Sequence, residues 1–173
     1  MLAEFVGIEK SVDYRHGAAL NLPFQNESFD HAWTQHVAMN IADRARFYRE
    51  IHRVLKPGGR LGIHDAVSGN GLPIIYPVLW SRSSANSFLV SAEAVELYLT
   101  DNGFHKVSWC DVTELGVAWF EKQRQSRVLK THLGLQIVMG EGFPEMSANF
   151  ERNLKEGRVR LVRTIMERRF RSD

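Results

Sequence analysis

Two histidines, His36 and His64, stand where an α/β protein usually carries out its chemistry. Each lies at or near the carboxyl end of a run of residues that predicts a β-strand, and open α/β sheets bind ligands at that end of their strands. Imidazole takes up a proton near neutral pH, so either side chain can act as a general base. A hydrogen-bonded structural histidine explains each position at least as well, and the sequence leaves both interpretations open.

The elements that position these histidines form one continuous stretch. The apolar run from Phe29 to Val37 predicts a buried strand, in which Trp33 is expected in the core rather than in a site. A helix follows, with Asn40 as its expected N-cap, and Lys56-Pro57-Gly58-Gly59 ends it because proline and glycine break helices. Arg60 to Val67 predicts a second strand. Strand, helix and strand in this order predict two parallel neighbours.

Further elements are predicted on both sides of this unit. Strands are expected at Val12–His16 and His105–Val112, and the arginine-rich stretch after Gly157 is expected to form a charged edge strand. Apolar spacing predicts helices over residues 2–8, 91–101, 113–129 and 144–154, whereas residues 131–139 fit either a strand or a helix.

Composition indicates an ordinary globular domain. The chain has 173 residues, 44% of them hydrophobic, and a net charge of +2, so one domain with a sizeable core is expected. We expect no nucleic-acid partner and no membrane span. The single cysteine, Cys110, fits a reducing cytoplasm and is expected to be a small buried hydrophobe. The seven histidines show no metal-ligand spacing, so no metal site is expected.

Several short sequence motifs, taken together, resemble one family. They are LPF (22–24), SFD (28–30), RVLKPGG (53–59) and WTQHVAMNI (33–41), followed by GNGLPIIYPVLW (69–80). In this order and spacing they are similar to class I methyltransferases (type 11) that use S-adenosylmethionine (SAM). Within that class they most resemble the branch that includes sarcosine/dimethylglycine N-methyltransferases, over most of the chain.

The resemblance implies a fold and a cofactor. It implies an α/β Rossmann-like sheet that lacks its first two strands, with helices on both faces and an antiparallel last strand, in a single partial domain over residues 1–173. It implies SAM bound beside Thr34 and Gln35 and near the backbone of Ala18 and Ala19. Ala18 departs from the family, which usually has an acid there to accept from the adenine amino group.

The front of the family's domain has no counterpart in this sequence. Residues 1–13 contain no glycine-rich turn, and no acid follows a second strand to hold the ribose. The resemblance therefore implies that the sequence begins about one third of the way into the family's domain. The strand at 29–37 would then have an unpaired inner edge, so we expect a homodimer or a domain-swapped assembly that covers it.

The segment at 68–90 is the expected wall of the substrate site. Two glycines, two prolines and several serines predict a long irregular loop. Such loops often form lids or binding loops. The alternative is a surface loop without a binding role, whose apolar residues pack against the core. Tyr76 and Trp80 are substrate candidates because aromatic faces attract methylated ammonium groups. Asn70 is a third candidate, although it also fits a plain turn between two glycines.

Two functions from different classes remain open. The first is a SAM-dependent methyltransferase acting on a small molecule, with an amine such as a glycine derivative as acceptor. The second is a non-catalytic remnant that kept the fold and serves as a binding or assembly module. The intact WTQHVAMNI and PGG segments favour the first, and the missing turn and Ala18 favour the second. A nucleic-acid binder acting through the arginines after Gly157 is the weakest alternative.

Overall fold

The computed structural model describes residue 4, residues 7–125 and residues 135–170. The strands are β1 (Phe29–Gln35), β2 (Leu55–Ser68), β3 (Phe104–Asp111) and β4 (Val159–Arg168). The helices are α1 (Arg44–Val54), α2 (Ala92–Asp101), α3 (Thr113–Gln125), α4 (Leu135–Met139) and α5 (Phe143–Lys155). Most of the helix predicted at 2–8 lies outside the described residues. Residues 126–134, which belong to the predictions over 113–129 and 131–139, also lie outside them.

The sheet has the order β1-β2-β4-β3. β1 and β2 run parallel, and β4 is antiparallel to both β2 and β3. The α/β fold with an antiparallel last strand is therefore confirmed. The predicted edge position of β4 is wrong, because β3 pairs along its outer side and makes β4 an interior strand.

Two strand predictions on the β1 side need correction. Val12–His16 forms no strand: Val12 is extended, yet no described strand lies beside this segment to complete its backbone hydrogen bonds. β1 ends at Gln35 and most of its residues are exposed, so it is not a buried strand. Trp33 is 76% exposed and lies outside the core. β1 and Trp33 are exposed because β1 is an edge strand with one uncovered face.

Helices pack on both faces of the sheet. α1 and α2 cover one face, and their apolar stripes meet the odd-numbered side chains of β2 in the larger core. On the opposite face α3 and α5 pack against Ala66 and Leu161 in a second core. The side chains buried in the first core include Phe47, Tyr48, Ile51, Val95, Leu99, Leu61, Ile63 and Met166.

The helix between β1 and β2 starts later than the sequence suggests. Asp43 is the N-cap, because its carboxylate accepts a hydrogen bond from the Arg46 N–H at 3.0 Å, and Asn40 instead ends a 3-10 turn. The strand that follows begins directly at Leu55, and Gly58 within it adopts a φ of +75°, a conformation that favours glycine.

The outer strand β3 exposes one of its faces. Cys110 is exposed, so the expectation of a buried hydrophobe is wrong, because no described element packs on that side of the sheet edge. None of the helices described here has both the length and the apolar character that a membrane crossing requires.

Candidate active site

A broad cavity of about 1280 Å³ opens on the sheet face that α3 and α5 only partly cover. Its floor is the alternate side chains of β1 and β2, and its far wall is the apolar side of α3, which includes Trp119 and Phe120. Gly62 lies at the centre of the floor between Trp33 and Ile165, its partners in the sheet register. The surface that results is wide, largely apolar and edged by a few polar groups.

His36 and His64 meet at one end of this cavity. Their ring centroids are 4.9 Å apart, and the His36 N–H donates to the His64 carbonyl at 2.9 Å. Burial, followed by the neighbouring His64, lowers the pKa of His36, although that side chain is partly open to solvent and this limits the effect. Burial and then the Arg163 guanidinium lower the pKa of His64. Both rings are therefore neutral at pH 7 and able to accept a proton.

The backbone at His36 adopts an unusual conformation. His36 has a φ of +53°, a left-handed geometry that residues with a Cβ rarely adopt. The carboxylate of Asp65 lies behind this turn and accepts a hydrogen bond from the Val37 N–H at 2.9 Å. Asp65 is only 3% exposed, and burial raises its pKa to about 6, against the opposing effect of the N–H groups of Val37, Ala38 and His36 and of the Arg44 charge.

The four predicted cofactor residues are not all brought to the cavity. Gln35 lines it beside the two histidines. Thr34 belongs instead to the opposite face, paired with Ile63, and its buried hydroxyl has no hydrogen-bond partner. Ala18 is exposed in a short turn closed by the Asn21 N–H, and Ala19 packs against the first core.

The three predicted substrate residues lie in the irregular loop at 68–90 and do not line the cavity. Asn70 uses both its amide nitrogen and its amide oxygen, since it donates to the Glu156 carbonyl at 2.8 Å and accepts from the Leu72 N–H. Trp80 donates to Ser87 and packs edge-on against Phe150. Tyr76 is half-buried and precedes a cis peptide bond to Pro77.

Asn153 on α5 holds this loop in place and was not singled out from the sequence. Its side chain is fully buried, accepts from the Ile75 N–H and donates to the Ile75 carbonyl, both at 2.9 Å. A second amide, Asn149, donates to the Pro77 carbonyl at 3.0 Å. Nothing in the sequence marked these asparagines except their spacing of one helical turn.

Arg163 is a further cavity residue that the sequence did not identify as part of the site. It lies opposite His64 in the register of β2 and β4 and lines the cavity. The other arginines of β4 make contacts elsewhere: Arg160 pairs with Asp111, and the buried Arg168 pairs with Glu27. Among the described residues no cluster of three or more His, Cys, Asp or Glu side chains is arranged to hold a metal ion.

Comparison with known sequences points to one domain family. Residues 2–63 match the model of a methyltransferase domain. An O-methyltransferase of Pyrenophora dematioidea is 31% identical over 104 residues, which cover 60% of this chain and 39% of that protein. A dimethylglycine N-methyltransferase of Parasynechococcus marenigrum is 25% identical over 142 residues, which cover 78% of this chain and 48% of that protein.

Solved structures share the fold. The [4+2]-cyclase SpnF superimposes with a TM-score of 0.72 and 23% identity, over 97% of this chain and 60% of that one. The geranyl diphosphate C-methyltransferase of Streptomyces coelicolor A3(2), in complex with Mg²⁺, geranyl diphosphate and S-adenosyl-L-homocysteine, superimposes with a TM-score of 0.71 and 19% identity, over 96% and 56%. The chain thus has the class I methyltransferase fold, and it spans half or less of the length of the two curated relatives.

Proposed function

We propose that this chain belongs to a SAM-dependent methyltransferase that acts on a small molecule, and that the acceptor is an amine such as a glycine derivative. The observation that carries this proposal is the match of residues 2–63 to a methyltransferase domain, in a chain whose sheet follows the same fold. The likeness to a dimethylglycine N-methyltransferase over 78% of the chain supports an amine acceptor.

The chain's own residues suit the proton chemistry of such a transfer. SAM supplies an activated methyl group on a sulfonium, whose carbon–sulfur bond breaks as the acceptor nitrogen attacks. An attacking primary or secondary amine becomes a cation and must lose one proton. His36 or His64 can take that proton, since both imidazoles are neutral at pH 7 and face the cavity.

We propose that the described residues contact one side of the cofactor. Gln35 would hold the methionine end, and the backbone of Ala18 and Ala19 would meet the adenine ring, whereas Thr34 would act only through its backbone because its side chain lies on the other face. No glycine-rich turn occurs in this sequence for the amino-acid end. We therefore propose that the remaining side is supplied by further sequence or by a second chain.

The loop at 68–90 would form the wall that encloses the acceptor. Its clamp to α5 through Asn149 and Asn153 supports a fixed wall rather than a lid that opens widely. Tyr76 is the substrate candidate with a polar group that makes no hydrogen bond in the described structure, while Asn70 and Trp80 are already engaged. A cytoplasmic location is part of the same proposal and is supported by the single cysteine.

Calorimetric titration of S-adenosylhomocysteine into the purified chain tests the cofactor. We expect micromolar binding, weakened about tenfold in Gln35→Ala, the loss that follows from one hydrogen bond to a charged group. Gln123→Ala is the matched control, because Gln123 is exposed on α3 and does not line the cavity. Absence of binding at millimolar ligand would contradict the proposal for this chain alone.

A second copy of the chain is the partner that we propose for the β1 edge. β1 lies at one end of the sheet order, so its outer backbone groups meet no strand among the described residues. Trp33, largely exposed, stands on the same strand. Exposed edges of this kind pair with other strands, and pairing with an identical strand closes a symmetric dimer.

Light scattering on a sizing column, over a hundredfold range of concentration, tests this dimer. We expect the dimer to become a monomer in Trp33→Lys, since a charge on the edge strand opposes pairing. Leu97→Lys places the same charge on an exposed site of α2, away from β1, and should leave the dimer intact. A monomer at every concentration of the unaltered chain would refute the proposal.

A non-catalytic binding or assembly module is the second candidate. The missing glycine-rich turn and Ala18 favour it, and a shared fold does not by itself establish a shared activity. The structural relative SpnF, a [4+2]-cyclase, illustrates that point. Normal assembly without any S-adenosylhomocysteine binding would favour this candidate.

A further inference from the structure

We infer that Asp65 is a positioning residue that holds His36 at the cavity, by fixing the left-handed turn through the backbone N–H groups that follow β1. This inference rests on the proposed function only in assigning a catalytic purpose to the placement of His36. The placement itself is a structural claim that can be tested without any activity.

The geometry joins two neighbouring strands. The carboxylate of Asp65 belongs to β2, immediately after His64, and accepts from the Val37 N–H just beyond β1 at 2.9 Å. His36 is the left-handed residue between these points, and its own N–H donates to the His64 carbonyl at 2.9 Å. A left-handed residue followed by a right-handed one, such as Val37 with φ −113° and ψ −48°, turns successive N–H groups toward one anion.

The strain at His36 needs this support. A side-chain-bearing residue in the left-handed region costs about 1–3 kcal/mol and persists only where its surroundings enforce it. Here the enforcing group is a carboxylate whose residue is 3% exposed and whose second oxygen, Oδ2, has no hydrogen-bond partner. Burying a carboxylate away from water is costly, so its presence here is accounted for if it anchors the turn.

The groups around His36 come from two strands, β2 and β4. His64 of β2 is its ring neighbour, Arg163 of β4 acts on His64, and Asp65 faces the turn from behind. The causes that set the pKa of His36 are burial and His64, and do not include the Asp65 charge. Asp65 therefore acts on the position of the ring and not directly on its charge. These two effects would shift the pKa of His36 in opposite directions, so an experiment can separate them.

Nuclear magnetic resonance titration of the histidine ring protons measures that position directly. Asp65→Ala and Asp65→Asn are compared with the unaltered chain, and His36→Gln and His64→Gln assign the signals. Tyr48→Phe is the matched control, because Tyr48 is buried close to Asp65 but makes no hydrogen bond to the turn.

The sign of the change separates positioning from a direct charge effect. Loosening the turn moves the partly exposed His36 ring away from His64 and the cavity wall that lower its pKa, so we expect this pKa to rise toward 6.5 in Asp65→Ala, with a smaller rise in Asp65→Asn, which keeps one acceptor. A direct charge effect would instead lower the pKa, because removing an anion disfavours the imidazolium. A fall, or an unchanged titration in a folded variant, would overturn the inference. Tyr48→Phe should leave the His36 signal in place.

A kinetic arm connects this placement to the proposed function. If the chain transfers methyl groups, Asp65→Asn should lower kcat about ten- to a hundredfold, the cost of misplacing a catalytic group by about 1 Å, while KM for SAM changes less than twofold. Equal losses in Tyr48→Phe would contradict a specific role. If no transfer or cofactor binding occurs at all, the proposed function fails, and the ring titration still decides the positioning claim.

Discussion

The same carboxylate predicts how folding stability depends on pH. Burial raises the pKa of Asp65 from 3.8 to about 6, so the folded state holds this proton more tightly than the unfolded chain does. The stabilisation that results is fully present below pH 3.8 and is lost as the pH rises through about 6. Asp65→Asn carries no such proton and should therefore become relatively more stable at high pH.

The magnitude follows from the size of the shift. A difference of about two units, at 1.36 kcal/mol for each unit, gives about 3 kcal/mol between the acidic and neutral limits. Because the residue is almost fully buried, solvent screening does little to reduce this figure. At about pH 4 the two proteins should have similar free energies of unfolding, and at about pH 7.5 Asp65→Asn should be more stable by about 1–3 kcal/mol.

Urea unfolding at several pH values, followed by tryptophan fluorescence, measures this difference. The other titrating groups are common to both proteins and cancel in the comparison. Equal slopes with denaturant show that the unfolded states are comparable. A difference that does not change with pH, or one that falls as the pH rises, would refute the reasoning. If Asp65→Asn gained stability but lost activity, Asp65 would be a residue that serves function at a cost in folding stability.

Other substitutions test the packing, each by urea unfolding. Leu99→Ala should cost about 2–5 kcal/mol because Leu99 is fully buried, whereas Leu97→Ala on the exposed side of the same helix should cost less than about 0.5 kcal/mol. Ser91→Ala should cost about 1 kcal/mol, since Ser91 accepts from the Ala94 N–H at the start of α2. Tyr48→Phe removes a buried hydroxyl that lies near the Arg44 guanidinium without a well-formed hydrogen bond, and should raise stability by up to about 1 kcal/mol; a loss above about 1 kcal/mol would show that the hydroxyl does bond to Arg44.

The sequence was most informative where local chemistry decides the structure. The helix predicted over residues 91–101 forms as α2, with Ser91 as its N-cap and Gly103 after its end at a φ of +86°. Apolar spacing over residues 144–154 predicted a helix, which forms as part of α5 with Met146, Phe150 and Leu154 buried. Caps and apolar stripes act over a few residues, so a single sequence contains their full signal.

Predictions failed where a neighbour outside the local segment decides the outcome. Val12–His16 has the composition of a strand, but no strand among the described residues pairs with it, and Trp33 is apolar but lies on an uncovered face. The position of β4 depends on where β3 pairs, which composition does not reveal. Such features depend on partners that are distant in the sequence, and no local hydrophobic pattern reports which partner will be present.

The residues of the candidate site were also predicted only in part. His36 and His64 were predicted at strand ends, and the register of the two strands brings their rings together. Asp65 and Arg163 were not assigned to the site, because their contribution depends on that register and on the turn at His36. Thr34 faces the other side because side chains alternate along a strand, so Thr34 and Gln35 point to opposite faces of the sheet.

The interior place of β4 also decides when the sheet can form during synthesis. β2 and β3 have no ladder with each other and are joined only through β4, where Leu61 meets Met166 and Trp109 meets Thr164. Residues 159–168 must therefore be synthesised before β3 finds a partner and before β2, which can already pair with β1, is paired along its other edge; until then both edges expose unpaired backbone. Such late, non-local pairing slows folding and leaves the nascent chain open to aggregation. A stop codon shortly before Val159 would thus leave β2 and β3 unjoined rather than merely shorten the protein.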